Sequence, residues 1–135
     1  MNERQRLPDL RNGITHKAVI RGERRRVKFY FTINYFDDGW PGEVFLHMDE
    51  SGSTLDGFAD CWAIAVSMCL QHGITVEKLM EKFAYQEFEP KGLTDNKDIR
   101  IARSVVDYVI RFMAGEKNGC EHNQANARAM SVREH

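Results

Sequence analysis

Between Glu50 and Leu55 the hydrophobic period of the chain changes from two to about 3.6, and that switch limits the folds open to it more than any other feature. Ahead of the switch, Val27, Phe29, Phe31, Ile33 and Tyr35 alternate with Lys28, Tyr30, Thr32, Asn34 and Phe36, as a strand half covered by a core should. Behind it, Leu55, Phe58, Ala59, Trp62, Ala63, Val66, Cys69 and Leu70 recur at helical spacing. A chain that is sheet first and helix afterwards falls in the α+β class.

Two more strands flank the alternating run. One covers about 15–21, centred on Ala18-Val19-Ile20, and the other about 43–49, with Val44, Leu46 and Met48 on one face. The turns Gly22-Glu23 and Asp38-Gly39-Trp40-Pro41-Gly42 are short, so strands 15–21, 27–36 and 43–49 are predicted to form a three-stranded antiparallel meander. Three helices are predicted to pack on it, over 55–72, 76–86 and 99–113. The first is apolar nearly all round, because Ile64, Ala65 and Met68 fill its second face, and is predicted to be buried, ending at Gly73. Thr75 is placed to cap the second. Residues 88–95 carry Pro90 and Gly92 and read as an irregular connection or a short edge strand.

This organisation gives an N-terminal arm (1–13), a single domain (14–115) and a disordered tail (116–135) poor in large apolar groups. No apolar run approaches the ~20 residues of a membrane span, and the start lacks the hydrophobic core of a signal peptide, so a cytoplasmic protein is expected. Cys61, Cys69 and Cys120 have no framework spacing and are expected to be reduced thiols, the first two serving as core packing. The net charge of −1 hides an asymmetry. Residues 1–26 hold eight Lys and Arg against three acids, and residues 27–60 one lysine against seven acids. Such a split suits a basic surface for a nucleotide or nucleic acid, or two opposite surfaces that meet in a homo-oligomer.

The five histidines show no metal-ligand spacing, and Cys120-Glu121-His122 lacks the second pair that zinc requires. No nucleophile and base are paired by spacing, so no catalytic set and no metal site are assigned. The Gly52-Ser53-Thr54 turn at the start of the first helix has two readings. Its hydroxyls can cap the helix, or its backbone N–H groups can hold an anion. It lacks the lysine and spacing of a P-loop. Asp60, early in an apolar helix, is expected to be ion-paired. Tyr30, Lys28, Thr32 and Asn34 mark the other face of the central strand as a further surface.

A run of segments in fixed order carries a family resemblance: Leu7-Pro8-Asp9, Ile14-Thr15-His16-Lys17, Asp38-Gly39-Trp40-Pro41-Gly42-Glu43-Val44-Phe45-Leu46, Gly52-Ser53-Thr54-Leu55-Asp56-Gly57, Ala63-Ile64-Ala65-Val66-Ser67, Gln71-His72-Gly73, Glu81-Lys82-Phe83, Phe88-Glu89-Pro90-Lys91-Gly92 and Ser104-Val105-Val106-Asp107-Tyr108-Val109. The chain resembles the TSCPD domain, the module at the C-terminal end of adenosylcobalamin (vitamin B12)-dependent ribonucleoside-diphosphate reductases that also occurs as short separate proteins. The resemblance implies a link to deoxyribonucleotide synthesis. It also implies that adenosylcobalamin belongs to the parent reductase and none is bound by this chain alone, because the large cofactor-holding barrel cannot fit in 135 residues. The expectation is a non-catalytic accessory or detached domain whose partner is a reductase catalytic subunit. The alternative is a homo-oligomer binding a nucleotide or cyclic nucleotide, with Gly52, Ser53 and Thr54 facing His16, Lys17 and Arg21 and with Glu43 in the matching Pro41-Gly42-Glu43 segment. A protein-interaction domain without a small ligand is the third reading.

Overall fold

The computed structural model describes residues 3–115. Five strands and three helices follow one another as β1 (Asn12–Arg21), β2 (Arg26–Tyr35), β3 (Pro41–Met48), α1 (Thr54–Gln71), α2 (Val76–Phe83), β4 (Gly92–Thr94), β5 (Ile101–Ala102) and α3 (Val105–Gly115). The α+β class and the three helices stand, and the meander is three strands of a five-stranded antiparallel sheet of order β3-β2-β1-β4-β5. The extra strands come from the segment read as an irregular connection or a short edge strand and from the start of the expected third helix. Gly92–Thr94 pairs with the end of β1 through Ile20↔Thr94 and Arg21↔Leu93, and is an inner strand because β5 pairs with its other side.

All three helices lie on the sheet face that carries Ala18, Ile20, Phe29, Phe31, Ile33, Val44, Leu46 and Met48. Alternation places each of these side chains on one face, and α1 contributes Ala59, Ala63, Val66 and Leu70 from one stripe. The α3 residues Val105, Tyr108, Val109 and Ile110 complete the core. On the opposite face Thr15 and Thr32 hydrogen-bond across the strands at 2.8 Å, and Tyr30 and Phe45 stand 38% and 47% exposed.

Three boundaries differ from the periodic reading. The third helix starts at Val105, not near 99, because Ser104 Oγ accepts from Asp107 N at 3.0 Å and so caps α3 there, while Ile101 is drawn into β5. The second ends at Phe83, not 86, since Ala84 is extended and Tyr85 takes φ 65. The first strand begins at Asn12, so the arm is shorter than 1–13. Residues 3–11 lie against the domain: Gln5 N donates to Gln71 O at 2.7 Å, and Leu7 joins Phe36 and Trp40 in a second small core. The expected tail and its Cys120-Glu121-His122 lie outside the described residues.

The expectation that α1 is buried on all sides is overturned. Its outward face leaves Phe58, Ile64 and Met68 exposed, together with Gly57, Cys61 and Ala65. Cys61 is therefore a surface thiol, and Asp60 lies on the surface with no ion pair among the described residues.

Candidate functional site

The strand-to-helix junction closes on itself. Ser53 Oγ accepts from Asp56 N at 3.1 Å, and the Asp56 carboxylate turns back to accept from Met48 N at 3.0 Å and Gly52 N at 3.1 Å. Two backbone N–H groups that an anion would seek are thus taken by the protein's own carboxylate. The bonds from Met48 and Gly52 hold the Asp56 carboxyl below its ordinary range, and the nearby His47 adds to the effect. Thr54 is the first helical residue and exposed.

The remaining residues singled out with this turn are distributed over the sheet. His16 lies on the core face, where Nε2 and the Tyr108 hydroxyl are 2.9 Å apart and the ring stacks on Phe112 with centroids 4.6 Å apart. Burial lowers its pKa. The Tyr108 hydroxyl, its own pKa raised by burial, also accepts from Asn96 Nδ2 at 3.2 Å. Lys17 points to the opposite face and pairs in register with Tyr30. Arg21, at the end of β1, is bound to Asp95 at 2.8 Å. Glu43 is 8% exposed and accepts from Arg11 and, at 2.8 Å, from Asn34 Nδ2. Glu43 and Met48 are five residue steps apart on β3, roughly 17 Å of strand, so Glu43 and the Gly52 turn sit at opposite ends of it. Within the described chain these seven residues do not line one pocket.

A cleft does adjoin the turn. It is open, has a volume of about 420 Å³, and runs between the β1–β2 hairpin (Gly22, Arg24, Arg25), Leu55 in the first turn of α1, and the Glu89-Pro90-Lys91 loop. Three cations and the acids Glu23 and Glu89 line it. Arg25 is paired to Glu50, and Lys91 to Glu87 at 2.8 Å, which holds Glu87 low and Lys91 high. Arg24 has no ion pair among the described residues. Arg24 and Arg25 belong to the basic N-terminal region evident in the sequence, and only the folding of the 89–91 loop brings Lys91 to them.

A second cavity of about 470 Å³ opens between α2, α3 and the 96–99 turn, lined by Met80, Tyr85, Asn96, Asp98, Ile99 and Arg111 among others. The Arg111 guanidinium lies 5.0 Å over the Tyr85 ring, and its Nη1 donates to Ile101 O at 2.9 Å. No signal in the sequence joins these residues, which come from four separate segments. Among the described residues no three His, Cys, Asp or Glu side chains are grouped as metal ligands. Neither cavity suits a cobalamin. Each is open and at the small end of the range that holds an ordinary drug-sized ligand, and His16 is committed to Tyr108 and Phe112. No helix among the described residues is long and apolar enough to cross a membrane.

Comparison with known proteins gives one consistent answer. A family model described as the TSCPD domain matches residues 3–117. Over 110 residues the chain is 44% identical to a vitamin B12-dependent ribonucleotide reductase of Rhodopirellula baltica, covering 82% of this chain and 10% of the relative. Over 111 residues it is 46% identical to a protein of the same name from Streptantibioticus cattleyicolor, covering 82% of this chain and 18% of the relative, and 45% identical to one from Streptomyces coelicolor, covering 82% and 11%. The chain thus spans about a tenth to a fifth of the curated relatives it matches. No solved structure matches it.

Proposed function

Because the chain belongs to the TSCPD domain family, we propose that it is a non-catalytic accessory domain of vitamin B12-dependent ribonucleotide reduction in the cytoplasm, one that binds a reductase catalytic subunit and carries no cofactor of its own. The observation that carries this reading is the 44% identity to one tenth of a B12-dependent reductase over a segment with its own closed core. A structural role is supported by the contacts of two candidate ligand residues, Glu43, which holds Arg11 and Asn34, and His16, which packs on α3, and by Asp56, which holds the β3–α1 turn. The test uses a B12-dependent reductase shortened by its own matching segment. Added in trans, the protein is expected to co-purify with the shortened enzyme and change its turnover. If the enzyme neither retains the protein nor responds to it, the proposal fails.

A second reading, a nucleotide or cyclic nucleotide held by a homo-oligomer, is favoured by one observation. Arg24, Arg25 and Lys91 line the cleft beside the Gly52-Ser53-Thr54 turn, and its volume suits a mononucleotide. Calorimetric titration with a panel of nucleotides and cyclic nucleotides should give heat that disappears in Arg24→Ala. The absence of heat and of any thermal shift rules it out.

A further inference from the structure

The outward face of α1 is the least expected surface of the molecule. The helix is 18 residues long, about 27 Å, and holds no Lys, Arg or Glu. Its only charged residues are Asp56, used in the turn, and Asp60. Phe58, Ile64 and Met68 are 72%, 54% and 46% exposed. At the 150–250 Å² of a large side chain, these three leave roughly 300 Å² of apolar surface open, and Gly57, Cys61 and Ala65 between them raise the patch to roughly 450 Å², the size of the largest apolar patch on an ordinary monomer, which is often a functional one.

We propose that this face is a two-fold interface with a second copy of the same chain, formed by antiparallel contact of α1 with α1. The pattern of large and small side chains makes the choice of partner. Asp60, Ile64 and Met68 form one row at four-residue spacing, and Gly57, Cys61 and Ala65 form the neighbouring row. When two copies of the helix run antiparallel, a single register sets Met68 over the partner helix's glycine, Ile64 over its cysteine and Asp60 over its alanine at the margin, and the two-fold repeats each contact. Ile64 and Met68 each meet a small residue, and Phe58 flanks the seam on the side of Ala65. A parallel pairing would set Ile64 against its own copy and glycine against glycine, with clash at one level and a void at another. The pair buries roughly 900 Å², less than stable specific interfaces do, so the dimer is a weak and transient one with a Kd on the order of 10–100 µM.

Sedimentation velocity on the full chain over about a hundredfold range of concentration tests this. The mass is expected to rise from the 15.6 kDa of one chain toward that of two. Ile64→Glu should stay monomeric at every concentration with unchanged circular dichroism and melting, since the residue lies on the surface. Phe45→Glu, on the open sheet face, should dimerise like the parent. A short bismaleimide should cross-link the parent dimer through Cys61 and fail with Cys61→Ser. The proposal is overturned if the parent is monomeric throughout, if folded Ile64→Glu still dimerises, or if Phe45→Glu abolishes the dimer equally. It is also overturned if the parent stays monomeric but binds the shortened reductase through Ile64, which would assign the face to that enzyme. The dimer is read from this chain alone, so its failure leaves the accessory-domain reading untouched.

Discussion

At the scale of single residues, the polar groups that matter are the ones the fold has turned inward. Asp107 is fully buried, and its carboxylate accepts from Tyr85 N at 2.6 Å, Arg103 N at 2.8 Å and Arg111 Nη1 at 3.2 Å. It ties the turn after α2 and the end of β5 to the start of α3. Asp107→Ala leaves buried donors without an acceptor and should cost about 2–4 kcal/mol in urea unfolding, with kinetics of opening fastest around Tyr85. The sequence showed Asp107 only as a polar position in a helix, because its partners lie outside that helix. His16 gives a prediction with a sign. Burial lowers its folded pKa below the ordinary 6.5, so the native state prefers the neutral ring and the unfolded state takes up the proton first. Its contribution is complete above about pH 6.5 and diminishes as the pH falls from there to the folded value. Stability measured from pH 8 down to about 5 should therefore fall more in the parent than in His16→Gln. An equal slope in both would mean that His16 does not titrate differently on folding. Asp56, also lowered, acts in the same direction but only near the acid range of carboxylates.

At the scale of elements, what was legible was local and what was missed was paired across the chain. The alternation of β2, the capping of α1 by Ser53 and of α2 by Thr75, and the stop at Gly73 with φ 91 can each be read within a few residues. β4 and β5 are three and two residues long and exist because each finds a partner strand, which no local period can announce. Gly92 shows how narrow the β1–β4 junction is. It sits at φ +151, and a Cβ there would come within 2.2 Å of Arg21 O. Gly92→Ala must push β4 away from β1 and should cost about 2–4 kcal/mol, with amide exchange accelerated at Leu93 and Thr94 before the meander is affected. Uniform acceleration across the sheet would show instead that β4 is part of the central cooperative unit. The outer face of α1 was misread for a different reason. Apolar residues all round a helix indicate burial only when a partner surface exists on both sides, and the described chain supplies one.

At the scale of the whole molecule, the N-terminal segment decides whether the end of α1 is sealed. Its residues were read as an arm because they are polar and aperiodic, yet from Arg4 to Leu7 they are held by partners that a sequence cannot locate. Arg4 Nε donates to Gln71 Oε1 at 2.6 Å, Gln71 Nε2 donates to Gly42 O at 3.0 Å, and Gln71 itself is only 4% exposed. The arm thereby joins the last turn of α1 to the first residues of β3. Leu7, 7% exposed, closes the small core of Phe36 and Trp40 against Gly42. Removing residues 1–10 would strip Gln71 of two partners, Arg4 and Gln5, and uncover that core, while Arg11 would remain to hold Glu43. The loss of one buried apolar side chain and of two hydrogen bonds corresponds to about 2–4 kcal/mol. In urea the truncated protein should unfold cooperatively at a lower midpoint with a nearly unchanged slope, because the main core of sheet, α1 and α3 is complete without the arm. Leu7→Ala should reproduce most of the deficit, and Arg4→Ala less of it, since Arg4 is exposed and water can take its place as the donor to Gln71 Oε1. A midpoint unmoved by truncation would show that the arm lies on the domain without stabilising it, and the N-terminal part of the family match would then need a cause outside the folded core, such as contact with a second chain.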